Sequence, residues 1–222
     1  MGVLQLESYI DHTLLSASAT ISAIKKLCAE AKRYHFYAVC VNGCYISLAK
    51  KELEQTTIKL AAVIGFPLGA MSTTAKVFEA TTAVQNGADE IDMVINIGWL
   101  KSGQYDQVQQ EISTIKKAIG DTVLKVIIET CYLTKEEKVK ACRLTVEAGA
   151  DFVKTSTGFG TAGATLADVS LMKEVVRDKV AIKASGGIKD RVTALQYIKL
   201  GVSRIGTSSG IAIVTSNQNQ KL

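Results

Sequence analysis

Eight short β-rich runs recur along the chain, each separated from the next by a stretch with helical spacing, and this alternation limits the folds available more than any other feature. The runs are YIDHT (9–13), AVCVN (38–42), LAAVIGF (60–66), EIDMVIN (90–96), LKVIIET (124–130), FVKTST (152–157), VAIKAS (180–185) and RIGTSS (204–209). Between them lie segments such as TISAIKKLCAEAKRY, YDQVQQEISTIKKAIG and LADVSLMKEVVRD; in the last, Leu166, Val169, Met172 and Val176 mark one helical face. Thr134 followed by Glu137 has the pattern of a capping box. Strands alternating with helices imply a parallel sheet. Eight such units in 222 residues predict an α/β fold of the closed (β/α)8 TIM-barrel class, with YIDHT as first strand. An open doubly wound sheet competes with this, but no G-x-G-x-x-G follows the first strand. Pro67 is the sole proline and no Ser/Gly/Pro-rich linker interrupts the chain, so one barrel domain spanning 1–222 is expected, its polar end from Ser216 to Leu222 a mobile tail.

A weak internal repeat gives the strands a common register. NGADEIDM, AGADFVKT and LGVSRIGT each run from a helix end through a glycine, the usual left-handed C-cap residue, into a strand. Five residues beyond those glycines stand Asp92, Lys154 and Gly206, on the fourth, sixth and eighth strands. Alternate strands of a barrel fill the same interior layer. Asp92 and Lys154 are therefore expected to point inward at similar height.

The strands carry polar residues where apolar ones belong: Asp11, Thr13, Asn42, Asp92, Asn96, Lys125, Glu129, Lys154, Thr155, Lys183, Ser185, Ser208 and Ser209. Many fall toward C-terminal strand ends, the face on which barrels build their sites. Each has a plainer reading. Thr13, Thr155 and Ser185 can satisfy backbone groups at strand ends. Lys125 and Glu129 can form an internal salt bridge or a catalytic pair. His12 reads as packed or superficial, and His35 as superficial. A lone lysine near a strand end can snorkel to solvent.

Lys154 and Lys183, on adjacent strands, are harder to dismiss. Mutual repulsion and partial desolvation both favour a neutral amine. A neutral amine attacks carbonyls and forms a Schiff base, and Asp92 could then move protons between the intermediates. A structural ion-pair cluster has the same composition, and these three residues alone leave both readings open. ASGGIK (184–189) and GTSSG (206–210) follow the seventh and eighth strands, where barrels frequently bind phosphate. Gly186 and Gly187 would let the backbone approach an anion, and Ser208 and Ser209 could donate hydroxyl bonds.

Composition excludes several alternatives. The net charge of +5 is mild, basic residues are dispersed, and aromatics make up 6%, which disfavours nucleic-acid binding. No apolar run is long enough to span a membrane, and the N-terminal stretch lacks signal-peptide features, so a cytoplasmic location is expected. The five cysteines are scattered without a C-x-x-C, and only two histidines exist, so neither a disulfide framework nor a zinc site is expected.

The segments YIDHTLL, VCVN, VIGFPLG, NGADEIDMVINIG, LKVIIET, AGADFVKTSTGF, IKASGGIK and RIGTSSG resemble the deoxyribose-phosphate aldolase family of class I aldolases over nearly the whole chain. The resemblance implies a (β/α)8 barrel, no metal or other cofactor, and a homodimer. It also implies reversible retro-aldol cleavage of 2-deoxy-D-ribose 5-phosphate to D-glyceraldehyde 3-phosphate and acetaldehyde. Lys154 would be the Schiff-base nucleophile, Lys183 the lysine that lowers its pKa, and Asp92 the proton donor and acceptor. Asp11, Thr13, Thr155 and Thr157 would contact substrate. Gly158, Gly186, Gly187, Lys189, Gly206, Ser208 and Ser209 would hold the phosphate. Partners would be small phosphosugars and aldehydes. The chain departs from the common pattern at Ser16–Ala17 and Asn42–Gly43, where many relatives have Lys-Pro and Asn-Pro, and it has no tyrosine after Tyr197. A transaldolase-like enzyme with a ketone donor and a non-catalytic phosphosugar-binding barrel are the competing functions.

Overall fold

The computed structural model describes residues 5–216. A short 3-10 turn leads into β1 (Ile10–Leu14), followed by α1 (Ile21–Tyr34), β2 (Ala38–Val41), α2 (Ile46–Glu52), β3 (Lys59–Ile64), α3 (Thr73–Gln85) and β4 (Glu90–Val94). The chain continues through α4 (Ile97–Lys101), α5 (Tyr105–Ile119), β5 (Val123–Ile127), α6 (Lys135–Glu147) and β6 (Phe152–Lys154). It ends with α7 (Leu166–Val176), β7 (Ala181–Ser185), α8 (Arg191–Lys199), β8 (Arg204–Thr207) and α9 (Gly210–Thr215). All neighbouring strands pair in parallel and β8 returns to β1, closing the expected eight-stranded barrel. The polar end beyond Ser216 lies outside the described residues.

Local chemistry fixes where the helices begin. Thr20, Ser72, Thr165 and Asp190 each accept a hydrogen bond from a backbone N–H in the first turn of α1, α3, α7 and α8. Thr134 and Glu137 form the reciprocal capping box of α6. The three repeat glycines adopt positive φ, 105° at Gly87, 78° at Gly149 and 89° at Gly201, and turn the chain from helix to strand.

The main core lies between barrel and helices, where Leu60, Ile91, Met93, Val126, Val153, Val169, Met172 and Ile182 pack together. Strand period two sends the intervening side chains inward. On β2 and β3 these are small and apolar: Cys40, Ala61 and Val63 cluster with Leu15 and Phe66. The middle of the interior is instead charged, at Asp11, Glu90, Asp92, Lys125, Lys154, Lys183 and Arg204, unlike the branched aliphatic filling usual in such barrels.

The β6 ladder ends at Lys154, three residues before the sequence-predicted end. Thr155 Oγ1 donates to the Ser185 carbonyl at 3.1 Å and accepts from Ser185 N at 3.0 Å, so side-chain bonds continue the pairing where the strand loses its regularity.

Candidate active site

Asp92 on β4, Lys154 on β6 and Lys183 on β7 meet inside the barrel. Register places Lys154 beside Lys183. Lys154 Nζ donates to Asp92 Oδ2 at 2.6 Å and Lys183 Nζ donates to the same oxygen at 2.7 Å. The second carboxylate oxygen, Oδ1, accepts from Lys125 Nζ at 2.8 Å. Asp92 and Lys183 are fully buried and Lys154 is 3% exposed. Gly206 makes room for this packing, because a Cβ there would lie 3.1 Å from Lys183 Cε and 3.0 Å from Ser185 Cβ.

Two residues that sequence reasoning passed over extend the cluster. Arg204 Nε donates to Asp11 Oδ1 at 2.6 Å, and its two terminal nitrogens donate to Glu90 at 3.1 and 2.8 Å. Glu90 also pairs with Lys125 at 2.5 Å, and Asp11 pairs with Lys183. A signal was available: Glu90 stands two residues before Asp92 and Arg204 two before Gly206, which puts each pair on one strand face.

The surroundings drive the two lysines apart. Burial, opposed by Asp92 and reinforced by Lys183, pushes the Lys154 ammonium below the ordinary lysine value. Burial also works against charge on Lys183, but Asp11 and Asp92 outweigh it and raise that group above the ordinary value. For Asp92, burial favours the acid form, yet Lys125, Lys154 and Lys183 together hold it well below the usual carboxylate range. Asp11 follows the same logic against Lys183, Arg204 and Lys125, and is held down to about 2.

A cavity of about 610 Å³ opens at the C-terminal end of the strands. Of the charged cluster only Lys154 reaches it. Thr13, Thr157, Gly158, Gly186, Gly206 and Ser208 line its wall, together with Leu14, Leu15, Ser16, Ala17, Phe159, Ser185 and Thr207. Asp11, Thr155, Gly187, Lys189 and Ser209 are not in this lining. Asp11 is buried in the ion-pair network instead of facing the cavity, and Thr155 is occupied by Ser185. Lys189 is exposed and Gly187 forms a turn with φ 80°. Ser209 N donates to Thr207 Oγ1 at 2.9 Å. The first turn of α8 is already capped by the Asp190 carboxylate, so an anion near Gly186 would meet loop backbone and not a free helix end.

Lys125 and Glu129 do not pair with each other. Lys125 joins Glu90 and Asp92, whereas Glu129, buried with φ 52°, accepts from both the backbone N–H and the hydroxyl of Thr157. It thereby orders the loop that carries Thr157 to Phe159, and Phe159 meets Phe66 edge-on with ring centres 5.3 Å apart. His12 points away from Asp11 and is buried against Glu30, Nε2 to Oε2 2.8 Å. Cys28, Cys40 and Cys142 are buried, while Cys44 is exposed and Cys131 half-buried. Among the described residues no group of three or more His, Cys, Asp or Glu is placed to hold a metal ion, and no helix is long and apolar enough to cross a membrane.

The chain is similar to known proteins over nearly its whole length. A family model described as DeoC/LacD family aldolase matches residues 6–215. A deoxyribose-phosphate aldolase of Finegoldia magna is 60% identical over 211 residues, covering 95% of this chain and 99% of the relative. One from a Thermoanaerobacter species is 56% identical over 214 residues, covering 95% and 96%. A solved deoxyribose phosphate aldolase of Aeropyrum pernix, described as tetrameric, superimposes with a TM-score of 0.87 at 33% identity, covering 95% of this chain and 90% of that one.

Proposed function

Because this chain belongs to the DeoC/LacD aldolase family, we propose that it is a deoxyribose-phosphate aldolase that cleaves 2-deoxy-D-ribose 5-phosphate reversibly through a Schiff base on Lys154. The observation that carries this reading is that Lys154 alone connects the buried charge cluster to the cavity, in surroundings that favour its neutral amine.

The amine nitrogen adds to C1 of the open-chain aldehyde, and loss of water gives an iminium. The electrons of the C2–C3 bond then flow into the iminium as the 3-hydroxyl gives up its proton. D-glyceraldehyde 3-phosphate departs and an enamine of the two-carbon unit remains. A proton added at C2 and one water at C1 release acetaldehyde and regenerate the amine. Asp92 Oδ2, which Lys154 Nζ and Lys183 Nζ both contact, is suited to pass protons at the reacting nitrogen during these steps. Lys183, kept cationic by two carboxylates, disfavours a second positive charge on Lys154. Thr13 and Thr157 would bind the substrate hydroxyls, and Gly158, Gly186, Gly206 and Ser208 would face the phosphate, with Gly187, Lys189 and Ser209 just outside them.

The test is borohydride reduction in the presence of deoxyribose 5-phosphate and EDTA, followed by peptide mass mapping. The expected result is cleavage undiminished by EDTA before borohydride is added, then loss of activity with a reduced adduct on Lys154 once it is. An adduct on Lys183 would exchange the lysine roles; no adduct and no cleavage would overturn the reading.

A further inference from the structure

Lys154 hangs from a closed ring of charges. Followed from contact to contact, Arg204, Asp11, Lys183, Asp92, Lys125 and Glu90 alternate in sign and return to Arg204. None is more than 4% exposed. Three cations face three carboxylates, so the ring is neutral with every member in its ordinary charge state. Lys154 is the seventh charged group, and among the described residues its carboxylate contact is the Asp92 oxygen already shared with Lys183. The other buried carboxylates have different partners: Glu111 pairs with Lys76, and Glu129 holds Thr157. A protonated Lys154 would leave a net positive charge in the barrel interior, where uncompensated charge is costly. A free amine leaves the interior neutral.

We infer that Arg204 and Glu90 are positioning residues for the proposed Schiff-base reaction: the charge-neutral ring they close sets the pH at which Lys154 becomes a free amine, Arg204 favouring the amine and Glu90 opposing it, without either touching substrate. The inference rests on Lys154 being the nucleophile. The groups bearing on Lys154 from each strand are Asp11 on β1, the Cys40 thiol on β2, Glu90 and Asp92 on β4, Lys125 on β5, Lys183 on β7 and Arg204 on β8; β3 presents only Ala61 and Val63. Burial pushes the Cys40 thiol up, so it adds no charge to the count.

Opposite changes at the far end of the ring should act oppositely on Lys154. Glu90→Gln removes a negative charge, so the ammonium should lose its proton at lower pH. Arg204→Met removes a positive charge, so the proton should be kept to higher pH. A unit charge roughly 10 Å away, at an effective dielectric constant of about 20, displaces a titration by about one pH unit. The double variant restores neutrality and should return close to the parent.

The experiment measures the rate at which cyanoborohydride traps acetaldehyde on Lys154 across pH, in the full-length protein and the three variants, with the adduct mapped by mass spectrometry. The pH dependence of the reagent is common to all four proteins and cancels in the comparison. Absence of an adduct in the parent would overturn the proposed function and this inference with it. With the parent adduct present, an acidic limb displaced downward in Glu90→Gln, upward in Arg204→Met and restored in the double variant supports the ring. Limbs that do not move, or that move the same way in both single variants, overturn it and leave the aldolase reading intact. Should Arg204→Met fail to fold, the downward displacement in Glu90→Gln and its reversal in the double variant decide the matter.

Discussion

Lys76 on α3 is as deeply buried as Lys154 but has different partners. Its Nζ donates to the Val94 carbonyl and to Glu111 Oε2, each at 2.8 Å, so one ammonium meets one carboxylate with no competing cation. That arrangement suits structure, with nothing open to a ligand. Removing one partner strands the other: Glu111→Ala should cost about 3–5 kcal/mol, read from urea unfolding, and the apolar double variant Lys76→Met/Glu111→Leu should recover most of it. The same comparison explains what the sequence discloses. Lys154, Lys183 and Asp92 stand out because a charged residue inside an apolar strand has no route to solvent. Lys76 does not, because a helical lysine ordinarily faces water. Glu90 and Arg204 open their strands, where a charge reads as the end of a loop. Asp11 is visible as an oddity, but its place behind Lys183 depends on contacts between β1 and β7 that no local pattern encodes.

At the scale of elements, the loops after β6 and β7 form the cavity wall by touching. Ala164 N donates to the carbonyls of Ser185 and Gly186 at 3.1 Å each, and Tyr197 of α8 fixes the Ala164 carbonyl with its hydroxyl at 2.8 Å. A Cβ on Gly163 would lie 2.2 Å from the Gly186 carbonyl oxygen. Gly163→Ala should therefore push the loops apart, with a stability loss of about 1–3 kcal/mol and a rise in KM for deoxyribose 5-phosphate larger than the fall in kcat. Denaturant unfolding and steady-state kinetics check the two parts. The strands themselves are legible because a parallel sheet covered on its outer face needs nearly continuous apolar runs. The long helices show their period and, at α6, their capping box. The short helices α2 and α4 escape notice because seven and five residues are too few to establish a period. The Gly163–Gly186 contact escapes for a different reason: both glycines read equally well as ordinary turn residues.

Across the whole molecule, the interior charges link stability to acidity. Asp11 falls from 3.8 in its ordinary state to about 2 in the fold, so its contribution is fully present above the unfolded value and disappears as pH drops through the folded one. A shift of that size corresponds to roughly 2 kcal/mol, and Asp92 acts in the same direction. The unfolding free energy should therefore decline between about pH 4 and pH 2, and the decline should be shallower in Asp11→Asn; urea titrations at stepped pH test this.

At the other end of the barrel, the Arg204 guanidinium lies 3.6 Å from the Tyr37 ring centre, and the ionic ring above it fills the bore. Among the described residues the charged cluster therefore meets the cavity at one end of the barrel, and on the proposed mechanism departure through it has an order. If the phosphate sits at the rim and the Schiff base at Lys154, as proposed, the phosphorylated fragment must step out before the tethered two-carbon unit can follow, and in the synthetic direction the small aldehyde must enter first.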